Sequence, residues 1–204
     1  MIRLGTVLGV ILAYLLGSLP FGFWFARARG INITQVGSGN IGATNVLRAL
    51  GPRAAIPVLL LDAGKGYFGA WIGYGVSMAL GGNPGLGAVL GGLAAFAGHN
   101  WSVFLGFRGG KGVAAAMGAA LFLLPVPVLV GIGVAVLTVV LTRYVSLGSM
   151  LGALSVSLYA LVGPFALERK LFALAATAVI IYKHRGNIER LLQGREARFG
   201  QRVR

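Results

Sequence analysis

Long apolar stretches, separated by short polar or glycine-rich segments, make up most of the chain. Residues 4–26 carry no charge and have about the length that a helix needs to cross a bilayer. Residues 54–80 and 86–107 form two further apolar stretches, the first of them interrupted by Asp62 and Lys65. This pattern predicts a series of membrane-spanning helices in the first half of the chain.

The second half predicts further spans. Residues 112–141 are apolar for too long to form one simple helix, and Pro125 and Pro127 interrupt the backbone hydrogen-bond ladder near the middle. We therefore expect two short helices there, followed by spans over residues 147–162 and 171–182. The result is an all-α membrane protein, a polytopic bundle of about seven transmembrane helices.

Shorter features connect the predicted spans. Residues 40–50 predict a short helix that ends at Gly51 and Pro52, a common combination at helix ends. We expect Gly163-Pro164 and the charged residues 168–170 to turn the chain between the last two spans. The chain from Lys183 onwards is basic and predicts an amphipathic tail.

Composition supports a location in the bilayer. Apolar residues make up 57% of the chain and charged residues 11%, and the mean hydropathy is +0.84. These values fit a polytopic membrane protein and not a soluble domain, and we treat residues 1–204 as one membrane domain. The absence of cysteine excludes disulfides, thiolate metal sites and a cysteine nucleophile.

Most of the positive charges lie on one side of the predicted membrane. The net charge is +14, and the positive-inside rule places the amino terminus outside and the carboxyl terminus in the cytoplasm. This asymmetry argues against nucleic acid as a partner, and it puts three polar stretches at the cytoplasmic face, where they can share one site. The cytoplasmic charges are Arg27, Arg29, Arg48, Arg53, Arg108, Lys111, Arg143, Lys183, Arg185, Arg190, Arg195, Arg198, Arg202 and Arg204, against Arg3, Arg169 and Lys170 on the other side.

The first polar stretch covers residues 37–48. Its glycines let the backbone approach a ligand closely and turn its N–H groups toward it. Its side chains add hydroxyls, amides and a guanidinium, an inventory that suits phosphate. A glycine-rich turn before an N-capped helix has the same pattern, so this stretch alone does not decide between the two. The candidate binding residues are Gly37, Ser38, Gly39, Asn40, Thr44, Asn45 and Arg48.

The second polar stretch covers residues 106–114. Glycines around Lys111 at the start of a predicted helix offer backbone donors, a helix amino terminus and a mobile ammonium, which together favour phosphate. The glycine spacing is not that of a Walker A loop, so we infer phosphate binding without nucleotide hydrolysis. A cytoplasmic loop with glycines for tight turning is the alternative. The candidates are Arg108, Gly109, Gly110, Lys111 and Gly112.

The third polar stretch covers residues 182–196 at the end of the last span. Ile188, Leu191 and Leu192 recur at helical spacing, which predicts a helix on the membrane surface with arginines directed to lipid headgroups. His184 and Asn187 lie three residues apart and share one helix face, so we assign both to the site.

Together, the three stretches resemble the bacterial acyl-phosphate:glycerol-3-phosphate acyltransferase family of integral membrane enzymes, known as PlsY. Three such motifs in this order between apolar spans are specific, although each alone is weak evidence. Gly98-His99 and residues 143–149 also match the family's pattern. The motifs are Gly37-Ser38-Gly39-Asn40-Ile41-Gly42-Ala43-Thr44-Asn45 with Arg48, Gly109-Gly110-Lys111-Gly112-Val113-Ala114, His184-Arg185-Gly186-Asn187-Ile188 with Arg190-Leu191, and Gly194-Arg195-Glu196.

The resemblance implies transfer of an acyl group from acyl phosphate to the 1-hydroxyl of sn-glycerol 3-phosphate. The products are lysophosphatidic acid and inorganic phosphate, in the first step of phospholipid synthesis. The resemblance further implies a multi-pass enzyme of the bacterial inner membrane, with its active site at the cytoplasmic face. We expect a monomer that works among membrane lipids, without a metal ion or another cofactor and without nucleic acid.

The resemblance also assigns roles to the candidate residues. Phosphate is held by Ser38, Arg48 and Lys111, and glycerol phosphate is positioned by His184 and Asn187. These five are the expected catalytic residues, and the other candidates, with Ser146 and Ser149, support substrate binding. Lys111 or nearby donors also stabilise the carbonyl oxyanion.

The general base stays open at the level of sequence. His184 is one candidate, and a phosphate oxygen of the already activated acyl phosphate is the other, which we favour. Asp62 and Lys65 lie three residues apart within a span and fit a structural ion pair better than a catalytic dyad. Glu189 and Glu196 are placed in the tail, away from the chemistry.

Two other functions fit parts of the pattern. A transporter for phosphate esters also uses broken spans and glycine-rich loops, but it normally binds its substrate near the membrane midplane. The chain shows no internal repeat, and its polar stretches gather at one face. A CDP-alcohol phosphotransferase needs an acidic metal-binding cluster, which the chain's 4 scattered carboxylates do not provide.

Overall fold

The structure is a computed structural model that describes residues 3–201, and over this range the chain consists of helices and loops. The prediction of an all-α protein is confirmed. Arg202 and Arg204, which the charge count includes, lie outside the described residues. The α-helices are α1 (Leu4–Gly17), α2 (Phe21–Arg27), α3 (Ala43–Leu50), α4 (Pro52–Ala79), α5 (Pro84–Asn100), α6 (Val113–Leu123), α7 (Pro125–Thr142), α8 (Val145–Val162), α9 (Leu167–Lys183) and α10 (Arg185–Leu192).

The described residues form two compact units, one ending at Leu123 and the other running from Leu124 to Gln201. In the first unit, α4 packs against α1, α5 and α6. Glycines make this packing close, because a Cβ atom at Gly66 would overlap the backbone of α6 and one at Gly73 would overlap the backbone of α5. Small residues are the usual means by which membrane helices approach each other.

The first apolar stretch forms two helices instead of one. Helix α1 ends at Gly17 and α2 begins at Phe21, because Pro20 lacks an N–H and interrupts the hydrogen-bond ladder. Polar side chains bind the carbonyl oxygens that this break exposes, as the Oγ of Ser102 donates to Ser18 O at 2.6 Å. The two helices together still have the length and composition of one candidate span, Leu4–Arg27.

The predicted third span is shorter than its apolar stretch. Helix α5 ends at Asn100, and the chain then folds back on itself as a tight loop. Within this loop Phe107 N donates to Ser102 O at 2.8 Å, and Ser102 pairs with Arg108 in an antiparallel bridge. Gly106 takes the left-handed conformation that the reversal requires, with φ 61°.

In the second unit, α7 packs against α8 and α8 against α9. Helix α7 begins at Pro125, which confirms the predicted break in residues 112–141. Hydroxyl groups join α8 to α9, since Thr177 Oγ1 donates to Ala153 O at 2.9 Å and lies 2.8 Å from Ser157 Oγ. Hydroxyl pairs of this kind bind each other where lipid offers no partner.

The predicted turn is confirmed at Gly163-Pro164, which lie in the connection formed by residues 163–166, but it is wrong at residues 168–170. Residues 168–170 form the first turn of α9. A glutamate in the first turn of a helix interacts favourably with the helix dipole, which explains why Glu168 is helical.

Three helical stretches of the described chain are long and apolar enough to cross a membrane by themselves. They are Leu4–Arg27, Pro125–Thr142 and Val145–Val162. Helix α4 is longer than any of these three, with 28 residues, and it is continuous, but Asp62 and Lys65 interrupt its apolar sequence. The number of spans and the orientation of the termini stay predictions.

Candidate active site

The first polar stretch forms a loop that is organised by one buried side chain, Asn45 at the start of α3. Its Oδ1 accepts from Ser38 N at 3.1 Å, and its Nδ2 donates to Val36 O and Asn40 O, each at 2.9 Å. The amide of Asn45 is therefore committed to the backbone of the loop. Asn45 therefore positions the backbone of Ser38 and Asn40, two of the other predicted binding residues.

The remaining polar groups of the first loop lie around this hub. Gly37 and Gly39 have left-handed φ values of 60° and 67°, which turn the chain around Ser38. The side chains of Ser38 and Thr44 are exposed. The Oδ1 of Asn40 accepts from Gly42 N at 2.8 Å and closes the turn before α3. The glycine-rich turn that the sequence left as its alternative is therefore present, but the helix after it has Gly42 at the N-cap position and no side-chain cap.

A small apolar core lies beneath the first loop and fixes it to the first unit. Ile33, Ile41 and Val46 are buried against Ala26 of α2. Gly22, also in α2, lies so close to the loop that a Cβ atom there would overlap Ile41 O. The loop is therefore a rigid part of the fold, with its polar side facing outward.

Arg48 of α3 and Lys111 of the second loop are the cations predicted to hold phosphate, and both are half-buried. Arg108, at the end of the tight loop that follows α5, is exposed. Gly109 and Gly110 connect Arg108 to Lys111, and Gly112 then leads into α6 with a left-handed φ of 77°.

The second loop lies directly on the end of α5. Gly110 N donates to His99 O at 3.0 Å. A Cβ atom at Gly109 would overlap His99 O, and one at Gly112 would overlap the ring of Phe96. Glycine is required at Gly109 because the two backbones touch, and at Gly112 because a side chain would meet the Phe96 ring and the φ angle is left-handed.

The third stretch lies in the second unit, where His184 separates α9 from α10. His184 is 3% exposed, and its Nδ1 lies 2.8 Å from Ile180 O. A carbonyl oxygen only accepts, so Nδ1 carries the proton and the neutral ring has an acceptor at Nε2. His184 is a junction residue, and Asn187 lies in the first turn of the next helix, its N–H donating to His184 O at 2.8 Å.

Glu196 connects three side chains of the second unit, a role that the sequence analysis missed. Its Oε1 accepts from Asn187 Nδ2 at 2.6 Å and from Ser146 Oγ at 2.7 Å, and its Oε2 accepts from Arg190 Nε at 2.8 Å. The Oγ of Ser149, by contrast, donates to Val145 O of its own helix at 2.8 Å. Ser146 is therefore the serine that joins the third stretch.

The environment of Glu196 favours its ionised form. Burial by itself would raise the pKa of this carboxyl group, but the hydrogen bonds from Asn187, Ser146 and Arg190 outweigh burial and hold the pKa below its ordinary value. The sequence signal was present, since Gly194-Arg195-Glu196 ends the third stretch and the chain has only 4 carboxylates.

The predicted ion pair between Asp62 and Lys65 is confirmed, with Lys65 Nζ 2.9 Å from Asp62 Oδ1. Over residues 3–201, no three His, Asp or Glu side chains come close enough together to hold a metal ion. Lys111 and Arg48 belong to the first unit, whereas His184 and Asn187 belong to the second.

Comparison with known proteins identifies the family. Residues 7–194 match the glycerol-3-phosphate acyltransferase family. The chain is 45% identical over 203 residues to the glycerol-3-phosphate acyltransferase of Desulforudis audaxviator, covering 99% of this chain and 100% of that one. The chain belongs to the glycerol-3-phosphate acyltransferase family. The family resemblance seen in the three motifs is thereby confirmed.

Solved structures of the glycerol-3-phosphate acyltransferase family share the fold. The crystal structure of PlsY, an integral membrane glycerol 3-phosphate acyltransferase, in its glycerol 3-phosphate form superimposes with a TM-score of 0.88 at 40% identity, covering 96% of each chain. Its lysophosphatidic acid form gives a TM-score of 0.85 at 40% identity, covering 96% of this chain and 95% of that one. The prediction of an integral membrane acyltransferase of phospholipid synthesis is confirmed at this level.

Proposed function

We propose that this protein transfers an acyl group from acyl phosphate to the 1-hydroxyl of sn-glycerol 3-phosphate, giving lysophosphatidic acid and inorganic phosphate. The observation that carries the proposal is its similarity, at 40% identity and over 96% of the chain, to a PlsY structure in its glycerol 3-phosphate form. That neighbour also has a lysophosphatidic acid form, which corresponds to the proposed product.

The groups of the first unit suit the phosphate parts of this reaction. Arg48, Lys111 and the Ser38 hydroxyl, with the backbone N–H groups of the first loop, hold phosphate. A planar guanidinium and a mobile ammonium both bind phosphate oxygens, and backbone amides at a helix start add to them. Lys111 or its neighbouring amides stabilise the negative charge that develops on the carbonyl oxygen during transfer.

The groups of the second unit suit recognition of glycerol 3-phosphate. His184 and Asn187 position this substrate, and Ser146 and Ser149 support them. The reaction forms an ester bond between the substrate hydroxyl oxygen and the acyl carbon, and it breaks the bond between that carbon and the phosphate oxygen. The hydroxyl proton passes to a phosphate oxygen of the leaving group, because acyl phosphate is already activated and its phosphate lies beside the reacting carbon.

The His184 tautomer makes the alternative base testable. With Nδ1–H bound to Ile180 O, the Nε2 atom is an acceptor that a histidine base would use. His184→Gln still hydrogen-bonds but does not titrate. If transfer to the substrate phosphate is correct, this variant keeps the wild-type shape of the dependence of kcat on pH, even where its KM rises. A histidine base acts in its unprotonated form, so the wild-type kcat would then rise with pH to a plateau. Loss of that plateau in His184→Gln would instead identify His184 as the base.

We further propose the topology and surroundings in which the protein acts. It spans the bacterial inner membrane about seven times, with the amino terminus outside and the active site at the cytoplasmic face, as the distribution of Lys and Arg favours. It acts as a monomer without a metal ion or another cofactor, taking glycerol 3-phosphate from water and acyl phosphate from the surrounding lipid.

The deciding experiment uses purified protein in lipid vesicles with labelled glycerol 3-phosphate, no added metal, and either palmitoyl phosphate or palmitoyl-CoA. We expect labelled lysophosphatidic acid with palmitoyl phosphate only, and its loss in Lys111→Ala. Product from palmitoyl-CoA would contradict the proposed donor. No product from either donor, with label accumulating inside the vesicles, would support the transporter alternative.

A further inference from the structure

Three ionisable side chains are buried together inside the first unit, and the roles proposed above do not account for them. Asp62 of α4 is 2% exposed, Lys65 of α4 is 3% exposed, and His99 of α5 is 3% exposed. Ionisable groups within a membrane span are costly to bury, and those found there normally have both a partner and a function.

Lys65 has a structural task. Its Nζ donates to Leu19 O at 2.8 Å, at the break where Pro20 ends the ladder between α1 and α2. The ammonium group thus binds a carbonyl oxygen that the helix leaves without its usual partner. Asp62, 2.9 Å away, balances the charge. The bond to Leu19 O explains why Lys65 is buried here. It does not explain why Asp62 also lies beside His99.

Asp62 also faces the ring of His99. The distance from Asp62 Oδ1 to His99 Nδ1 is 3.4 Å, slightly longer than a direct hydrogen bond. At this distance the carboxylate favours a ring orientation that directs an imidazole N–H toward it, because both groups are shielded from water and electrostatic interactions are stronger there.

The other edge of the His99 ring supports the second loop. A Cβ atom built on Gly110 would overlap His99 Nε2, so the ring lies directly under the Gly110 backbone. The main chain of His99 contacts the loop too, through its bond from Gly110 N. Lys111, one of the proposed phosphate-binding residues, is the next residue along the chain.

We propose that Asp62 and His99 are positioning residues for the second loop. Asp62 sets the orientation of the imidazole, and the imidazole supports Gly110 so that Lys111 is held where it binds phosphate. Neither residue touches the substrate. This inference rests on the proposed function for its kinetic readout.

The first test is a double-mutant cycle between His99→Ala and Gly110→Ala. His99→Ala removes the support, and Gly110→Ala pushes a methyl group into the ring. In the double variant the methyl group has room. We expect each single change to raise one KM on the order of tenfold, with a smaller change in kcat. The affected substrate should be the same one whose KM rises in Lys111→Arg, and the double variant should be no worse than His99→Ala alone.

The second test removes the carboxylate without leaving a buried charge. The double variant Asp62→Asn/Lys65→Met is neutral and similar in volume, so its fold is preserved better than in Asp62→Asn alone. We expect it to raise the same KM as His99→Ala. The matched control is Ser77→Ala, a buried α4 residue whose Oγ lies 3.2 Å from Thr6 Oγ1 and not near the loop.

Binding of inorganic phosphate, followed by titration calorimetry in detergent, gives a readout that does not depend on turnover. Weaker phosphate binding in His99→Ala than in Ser77→Ala would support the positioning role even if the wild type made no lysophosphatidic acid, in which case only the proposed function would fail. If the wild type is active, two results would overturn the inference. One is that the His99 and Asp62 variants behave like Ser77→Ala. The other is that the effects of His99→Ala and Gly110→Ala are additive and the KM values of both substrates rise equally.

Discussion

Replacing Glu196 with Ala tests whether a buried carboxylate holds the third polar stretch together. The carboxylate accepts hydrogen bonds from Asn187, Ser146 and Arg190, and these partners come from α10 and from the first turn of α8. Removing it takes away one shared acceptor and leaves three donors. We expect the segment from α10 to the end of the described chain to loosen.

The magnitude follows from the exposure of each donor. Asn187 and Ser146 are each 6% exposed, and loss of the acceptor of a buried donor costs about 1–3 kcal/mol. The Arg190 side chain is 43% exposed, so it returns to water and contributes about 0–1 kcal/mol. The total is about 2–7 kcal/mol. Glu196→Gln keeps one acceptor oxygen but loses the charge, and its effect should be smaller.

Hydrogen exchange measures this loss locally. The N–H of Arg195 donates to Arg190 O at 2.8 Å and reports on the segment that Glu196 holds. A loss of about 2 kcal/mol raises its exchange rate by about thirtyfold. The matched control is Glu189→Gln, which removes the same charge from an exposed position in α10, where the Glu189 Oε1 lies 3.5 Å from Gln193 Nε2.

Two outcomes would refute this reasoning. If Glu196→Ala exchanged like Glu189→Gln, the carboxylate would not hold the segment. If exchange rose but the KM for glycerol 3-phosphate stayed at its wild-type value, Glu196 would stabilise the fold without positioning Asn187 for substrate.

Three further predictions concern the same two units. The pKa of Glu196 lies below its ordinary 4.5, so its contribution to stability is complete above that pH and is lost as the pH falls through the lowered value; acid unfolding of Glu196→Gln should lack this component. Asn45→Asp replaces a donor to loop carbonyls with a repelling oxygen and should abolish transfer in protein that is still inserted, whereas wild-type activity would disprove its hub role. Ser146→Ala should raise the KM for glycerol 3-phosphate more than Ser149→Ala, and equal effects would contradict the geometry.

Much of the helical organisation was predictable from sequence. Apolar length and the positions of Pro125 and Pro127 predicted most of the helices and the division of residues 112–141, because proline lacks the N–H that would continue the hydrogen-bond ladder and is favoured at a helix start, where α7 has Pro125. Pro57, by contrast, lies inside α4 without ending it. The glycine runs predicted both loops, because their backbone conformations are local properties. Residue types and their spacing were sufficient for these features, and the family motifs added the expected chemistry.

The partners of the buried polar groups were decided by tertiary structure. Asn45 resembles a phosphate ligand in sequence, but in the fold its amide is committed to the loop backbone. Glu196 was assigned to the amphipathic tail, yet it is hydrogen-bonded to Ser146, which lies 50 residues away in the sequence. Gly98-His99 was identified only as part of the family's pattern, and the fold adds the contacts of His99 with Asp62 and Gly110.

The physical reason is the range of the interactions. Apolar length, helix-breaking residues and glycine conformations act within a few residues along the chain, and so the sequence by itself determined the helices, the loops and the chemical types available to the site. A buried carboxylate, amide or imidazole must instead find its partner across helices, because water is excluded and an unpaired polar group is costly. Which groups meet therefore depended on how the helices pack, and only the tertiary structure decided that Glu196 joins Asn187 to Ser146 and that His99 lies between Asp62 and Gly110.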